Sequence, residues 1–295
     1  MEIQHISASA IKCFETCPHK FYHEYVLRIR GETHPAANAG SAVHYACERA
    51  VKAKKNDKRE ESDPLFWMQE ALKKYDVQKA YYENVLTWIK TCVSWGYFDV
   101  TNTIDAEHKI DFTLPVGVPV VGFVDKLDID GNWKASIKDI KTQKNPFTRQ
   151  ELDNNWQSFL YFLGVVNEFP LIQNIVDIEF WCLRHKKQIV QLAKTDYDII
   201  LKRVNDKVIE IKESDGTRVC PSGLCRFCVA EGCCHHPSNV LKTDKTVGDN
   251  TNIIGQALTD VERAKAILKT LKPDFRPETV PATEETEEVN SIFLF

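Results

Sequence analysis

No stretch of this 295-residue sequence approaches the roughly 18 uninterrupted apolar residues that a membrane span needs. Met1 to Lys20 lacks a basic stretch followed by an apolar run, so neither a secretory leader nor a transit peptide is expected there. There is no internal repeat. Nor is there an excess of positive charge: the formal net charge is −4 and the sequence pI about 6.2. That balance argues against a protein that coats nucleic acid nonspecifically, but leaves room for a local basic groove. What is present is the composition of an ordinary folded protein, 43% hydrophobic and 27% charged, at a length that suits one core with appendages. A soluble, non-secreted, cytoplasmic chain with no membrane partner is expected. Ten cysteines stand out, five of them between Cys220 and Cys234. In a reducing compartment such a cluster binds metal more often than it forms disulfides.

Ser7 to Arg28 opens with the capping residues Ser7 and Ser9 and carries Ile11, Phe14, Phe21 and Tyr25 at helical spacing; Pro18 interrupts it or starts a second helix. Ala39 to Lys52 and a long stretch from Pro64 to Phe98 also read as helix. The aromatics of the latter, Trp67, Tyr75, Tyr81, Tyr82, Trp88 and Trp95, are read as core rather than as platforms for bases. From Ile104 the period changes. Ile104 to Leu114, Val118 to Ile129 and Ala135 to Ile140 read as strands, with Asp130-Gly131 as the turn between the last two. Helix is expected again at Arg149 to Asn167, strands at Ile175 to Leu183 and Gln188 to Leu192, and helix at Tyr197 to Glu213. Residues 241–272 should hold one amphipathic helix after a domain edge near 240, and residues 273–295 an acidic, proline-containing flexible tail.

The most informative residues run Gly122-Phe-Val-Asp125, then Ile137-Lys-Asp139-Ile-Lys141-Thr142. Two strands joined by a tight turn bring Asp125 and Asp139 close, and residues two apart on a strand share a face, so Asp139 and Lys141 enter one pocket. Phosphodiester hydrolysis needs this set: carboxylate oxygens hold Mg²⁺ or Mn²⁺, and a lysine orients the attacking water or the phosphate. The bland alternative is a solvated sheet face with cross-strand ion pairs. Gly122 to Asp125 followed by Asp139-Ile-Lys141-Thr142 resembles the RecB-family motifs of the PD-(D/E)xK nucleases. Gly40-Ser-Ala-Val43-His44 is similar to the family's helix motif ending in a metal-binding histidine, and Gln157-Ser-Phe-Leu-Tyr161 to its Q-x-x-x-Y motif. The resemblance spans about Ser7 to His236. It implies Asp125, Asp139 and His44 as ligands of Mg²⁺ or Mn²⁺, with the carbonyl of Ile140 assisting, Lys141 as the catalytic lysine and Glu107 as a further acid. Gln157 and Tyr161, four apart on one helix face, are expected to reach the DNA backbone or the catalytic pocket.

Cys225-x2-Cys228-x5-Cys234 places three thiolates where they can converge, with a fourth ligand from elsewhere. The resemblance implies that ligand as Cys17, which precedes Pro18, and a structural [4Fe–4S] cluster. Structural Zn²⁺ is the alternative, since Cys220, Cys233, His235 and His236 offer further donors. Cys13, Cys47, Cys92 and Cys182 are read as small buried hydrophobes.

The expectation is therefore an α/β restriction-endonuclease-like core, a central mixed sheet flanked by helices, with a helical N-terminal region and an iron–sulfur closure, all within residues 1–240. The implied activity is metal-dependent DNA hydrolysis, by an exonuclease of recombination, repair or replication, placing the chain in the cytoplasm or nucleoid. The rival is a catalytically silent DNA-binding or assembly module on the same fold. The tail ends in an abrupt apolar peptide, where Ile292, Leu294 and Phe295 resemble the apolar end of motifs that bind a sliding clamp.

Overall fold

The structure, a computed structural model, describes residues 1–29, 31, 34–222, 225, 228, 230 and 234. The expected C-terminal helix and acidic tail lie outside the described residues. Two compact units are distinguished. One takes Met1–Lys12 and Glu32–Ser214; the other takes Cys13–Gly31 and the described residues from Asp215 on.

The first unit is built on five strands in the order β1 (Thr103–Thr113), β2 (Pro119–Ile129), β3 (Ala135–Lys141), β4 (Ile175–Cys182) and β5 (Lys187–Ala193). All neighbours are antiparallel except β3 and β4, which run parallel from Ala135 beside Val176 to Lys141 beside Cys182. A parallel pair needs a crossover, and two helices between the strands, α6 (Arg149–Asp153) and α7 (Trp156–Glu168), supply it. The mixed sheet flanked by helices is the expected fold class.

Helix assignments held in place but not in extent. The N-terminal segment divides into α1 (Ala8–Thr16), α2 (Pro18–Phe21) and a π turn at Tyr22–Val26, and Pro18 does start the second helix. Helix α3 (Pro35–Lys55) begins four residues before the expected start, because Pro35 sits in the first turn and the His34 ring caps the Ala36 amide at 3.1 Å. The stretch read as one helix from Pro64 to Phe98 is two, α4 (Met68–Lys74) and α5 (Tyr82–Ser94). Asp76 at φ +45 closes the first in the left-handed region. Likewise Arg149 to Asn167 breaks at Asn155, whose side chain caps α7 through the Ser158 amide. Helix α8 (Tyr197–Glu213) has the expected bounds. The hairpin between β2 and β3 is wider than a two-residue turn on Asp130-Gly131. Asp130 and Lys134 close it, and the left-handed position falls on Trp133 at φ +62 rather than on the glycine.

One core cluster joins α3 (Ala42, Val43, Ala46, Cys47, Ala50) to α5 (Val85, Trp88, Ile89, Cys92) and to Ala106, Ile140 and Trp181 of the sheet. Trp67 and Trp88 are buried in it, as the sequence reading held. Tyr75, Tyr81 and Trp95 are only partly covered and Tyr82 is 37% exposed. Helix α7 lies close on the sheet because it carries Gly164: a Cβ there would stand 2.0 Å from Ile110 Cγ2. On an open helix surface Gly→Ala would stabilise by about 1 kcal/mol. Here overpacking reverses the sign, and Gly164→Ala should destabilise the protein by about 1–3 kcal/mol in urea denaturation; a raised midpoint would contradict the close approach.

Candidate active site

Side chains from two strands and two helices meet at the C-terminal end of β3. Asp125 on β2 accepts from His44 Nδ1 at 2.9 Å and, through its other oxygen, from the Ile140 amide at 2.6 Å. An ionised carboxylate only accepts, so His44 donates its Nδ1–H to Asp125. Burial works against the imidazolium, but the charge and hydrogen bond of Asp125, with Asp139 beyond, outweigh it and raise His44 above its ordinary pKa.

Asp139 is fully buried. Its Oδ1 accepts from Gln157 Nε2 at 2.9 Å and from the Tyr161 hydroxyl at 3.1 Å; its Oδ2 faces the Lys141 ammonium at 2.7 Å, outside hydrogen-bond geometry. Burial raises the Asp139 carboxyl, Lys141 opposes it, and Asp125 adds to it. Lys141 also donates to Gln157 Oε1 at 2.9 Å. The Gln157 amide is thus oriented by its partners, oxygen toward the ammonium and nitrogen toward the carboxylate. Its nitrogen reaches Tyr161 Oη at 2.6 Å, and the tyrosine in turn lies 2.5 Å from the Phe123 carbonyl. Gln157 and Tyr161 both lie buried beside Asp139, 9% and 5% exposed. Burial and the nearby carboxylates push the Tyr161 hydroxyl well up.

Glu107 lies on β1, the neighbour of β2. Ala106 pairs with Lys126 and His108 with Val124, which sets Glu107 at the register position opposite Asp125. Its backbone is left-handed at φ +54, a strained conformation for a glutamate within a strand. Ile140 enters the site through its amide, on Asp125. Helix α3 approaches β3 through the glycine of its motif: a Cβ at Gly40 would meet Thr142 Oγ1 at 2.8 Å. That close passage brings His44 to Asp125, and it accounts for the pairing of a glycine in one motif with a threonine in another.

A second polar group beside the site was not singled out from sequence, although Lys126, Asp128 and Lys138 alternate along the two strands that carry the aspartates. Asp128 accepts from Thr103 Oγ1 at 2.7 Å and pairs with Lys138 and with Lys126, the latter at 3.3 Å. Lys126 is fully buried and also donates to the Asp99 carbonyl. Burial lowers its pKa to about 8. Between that value and the unfolded one near 10.5, the unfolded chain binds more protons. Wild type should therefore gain thermal stability relative to Lys126→Met as pH rises from 8 toward 10; a gap independent of pH would contradict the buried ammonium.

The second unit holds the cysteines. His19 donates Nδ1–H to the Gly216 carbonyl at 3.1 Å and its amide donates to the Arg218 carbonyl, joining α2 to the strand of chain that follows α8. Cys17 Sγ accepts from the Cys220 amide at 3.5 Å, and Cys225 Sγ from the Ser222 amide at 3.2 Å. Burial raises the Cys228 thiol, and the charge of Cys17 is among the neighbours that add to it. Among the described residues, His44, Asp125, Asp139 and Glu107 included, no group of three or more His, Cys, Asp or Glu side chains is gathered as a metal site. Cys47, Cys92 and Cys182 are buried in the first unit as expected, while Cys13 is only half-buried and donates to Glu24 at 3.7 Å. Nor is any helix among the described residues long and apolar enough to cross a membrane.

The mixed sheet thus gathers two aspartates and a lysine from adjacent strands beside a histidine from one helix and a glutamine–tyrosine pair from another. The model of the PD-(D/E)XK nuclease superfamily matches residues 5–235, and the chain belongs to that superfamily. Among solved structures, a proposed exonuclease from Eubacterium rectale superposes with a TM-score of 0.51 at 13% identity, over 89% of this chain and 93% of that one. SSO0001 aligns over 78% of this chain and 95% of its own at 14% identity, with a TM-score of 0.33. No curated protein matches the chain.

Proposed function

We propose that the chain is a metal-dependent DNA nuclease of the RecB-like type, an exonuclease hydrolysing phosphodiester bonds in recombination, repair or replication. The convergence of His44, Asp125, Asp139 and Lys141 carries this reading, and the exonuclease assigned to the Eubacterium rectale structure is in keeping with it. The donor set suits Mg²⁺ or Mn²⁺: hard carboxylate oxygens, with Asp139 Oδ2 buried and accepting no hydrogen bond. Asp125, Asp139 and His44 would hold the ion, with Glu107 and the Ile140 carbonyl as further oxygen donors. Bound there, such an ion stabilises charge on the phosphate and lowers the pKa of water. The chain's own groups do the rest. Lys141 orients the nucleophile or a phosphate oxygen, Gln157 holds Lys141 and Asp139 at fixed separation, and Tyr161 anchors both to β2. Incubation of end-labelled linear and circular DNA, single- and double-stranded, with Mg²⁺ and Mn²⁺ tests the reading. Mononucleotide release from linear molecules with circles left intact is expected; cleavage of circles would make it an endonuclease.

The thiolates of Cys17, Cys225, Cys228 and Cys234 suit a [4Fe–4S] cluster, and the backbone N–H groups directed at Cys17 and Cys225 sulfur are of the kind that stabilise bound thiolates. The C-terminal peptide with Ile292, Leu294 and Phe295 is proposed to recruit the enzyme to a sliding clamp. Deleting residues 289–295 should leave cleavage of naked DNA unchanged and abolish co-purification with that partner; loss of intrinsic activity would instead place the tail in the catalytic fold.

A further inference from the structure

Beside His44 the surface of α3 continues, with the end of α4, into an aromatic and cationic face. Tyr45 and Tyr75 stand with ring centroids 6.0 Å apart and planes inclined by 68°. The Lys74 ammonium lies 4.3 Å from the centroid of Tyr45 and 5.5 Å from that of Tyr75. Lys74 is exposed and both rings are half-buried. The Tyr45 hydroxyl donates to Glu70, which fixes the tilt of that ring. This face lies on the helix that carries His44, which Tyr45 follows in the chain. Burial first, then the charges of Glu48, one helical turn past His44, and of Glu107, opposite Asp125, push the Tyr75 hydroxyl to about 12.

A ring that serves only the core looks different. Trp67 nearby is 7% exposed and is roofed by the Arg49 guanidinium at 4.4 Å. Tyr45 and Tyr75 keep part of their surface open, and the cation over them is held weakly, since an exposed cation–π contact is worth about 0.5–1 kcal/mol. Lys74 can therefore leave the rings for a phosphate at little cost, opening two aromatic surfaces to stacking.

We infer that Tyr45, Tyr75 and Lys74 form a strand-positioning platform that takes the unstacked bases of single-stranded nucleic acid as its backbone enters the pocket of Asp125 and Asp139. The inference rests on the nuclease reading for the destination of the strand. Stacking on tyrosine is open to every base but closed to paired ones, whose faces are already covered in the duplex. The platform thus selects single strands without reading sequence, and Tyr75 departs in this respect from the purely structural role expected of it.

Fluorescence anisotropy of the full chain in EDTA, with a labelled oligothymidine and a labelled duplex of equal length, tests this. Tyr75→Leu should weaken oligothymidine binding by about tenfold and leave duplex binding unchanged, while Lys74→Met, which keeps the stem but removes a phosphate contact, should weaken oligothymidine binding by more than duplex binding. In turnover the same variants should raise KM for single strands at unchanged kcat. If Tyr75→Leu fails to fold, Lys74→Met, altered at an exposed position, decides alone. Unchanged oligothymidine affinity, or equal losses on both DNAs, would overturn the platform. Selective loss of single-strand binding in a protein whose wild type cuts nothing with Mg²⁺ or Mn²⁺ would leave the platform standing and remove the nuclease reading.

Discussion

Asp139→Asn and Lys141→Met should each lower DNA cleavage by about a thousandfold, on the scale of removing a group aimed at charge that develops during reaction. The pocket geometry gives the reason. Asp139 Oδ2 and the Lys141 ammonium, both buried, face each other at 2.7 Å, and both are tied to the same Gln157 amide. Neither change empties the core: asparagine can still accept from Gln157 and Tyr161, and methionine fills the stem volume of lysine. DNA affinity and the folded far-ultraviolet spectrum should survive in both variants. Because the two groups act as one unit, the double variant should be little slower than either single one. Additive losses would mean separate roles, and retained cleavage in both singles would remove Asp139 and Lys141 from the chemistry.

Cys17→Ala should leave the purified protein colourless and lower its thermal midpoint by about 10–20 °C. A crosslink closing a loop of about 200 residues contributes about 5 kcal/mol, and each kcal/mol moves the midpoint of a domain this size by about 2–4 °C. Wild type purified without oxygen should be brown, with broad absorption near roughly 400 nm from thiolate-bound iron. Colourless wild type with stoichiometric zinc would decide for Zn²⁺ in the same site. A Cys17→Ala protein as stable and as coloured as wild type would free Cys17 from the centre altogether.

The parts of the site that were legible from sequence are those set by short-range periodicity. The two-residue repeat of a strand alone puts Asp139 and Lys141 on one face, and the four-residue spacing of a helix puts Gln157 and Tyr161 together. Their partners were not legible, because they come from other elements: that Gln157 bridges Asp139 and Lys141 depends on how closely α7 lies on the sheet, which Gly164 permits. Two breaks inside stretches read as single helices were missed where a side chain sets them. Asp76 turns left-handed after α4 without a proline or glycine, and Asn155 caps α7 after Asp153-Asn154, a cap signal passed over in favour of the apolar period on either side. The β2–β3 turn was misplaced for a related reason. Asp130-Gly131 favours a two-residue turn, but Asp130 instead accepts from the Asn132 and Lys134 amides, which widens the loop and moves the strained position to Trp133. The network of Lys126, Asp128 and Lys138 was not singled out, since its burial comes from packing that no local pattern encodes.

The central claim, that His44, Asp125, Asp139 and Lys141 form a metal-dependent centre for phosphodiester hydrolysis, is tested most directly by one measurement. It is the rate at which the wild-type chain releases nucleotides from end-labelled single-stranded DNA as Mg²⁺ or Mn²⁺ is titrated against EDTA. A rate that is zero in EDTA, rises saturably with either ion and disappears in Asp139→Asn is the predicted result; no cleavage at any concentration of either ion, or cleavage that persists in EDTA, would contradict it.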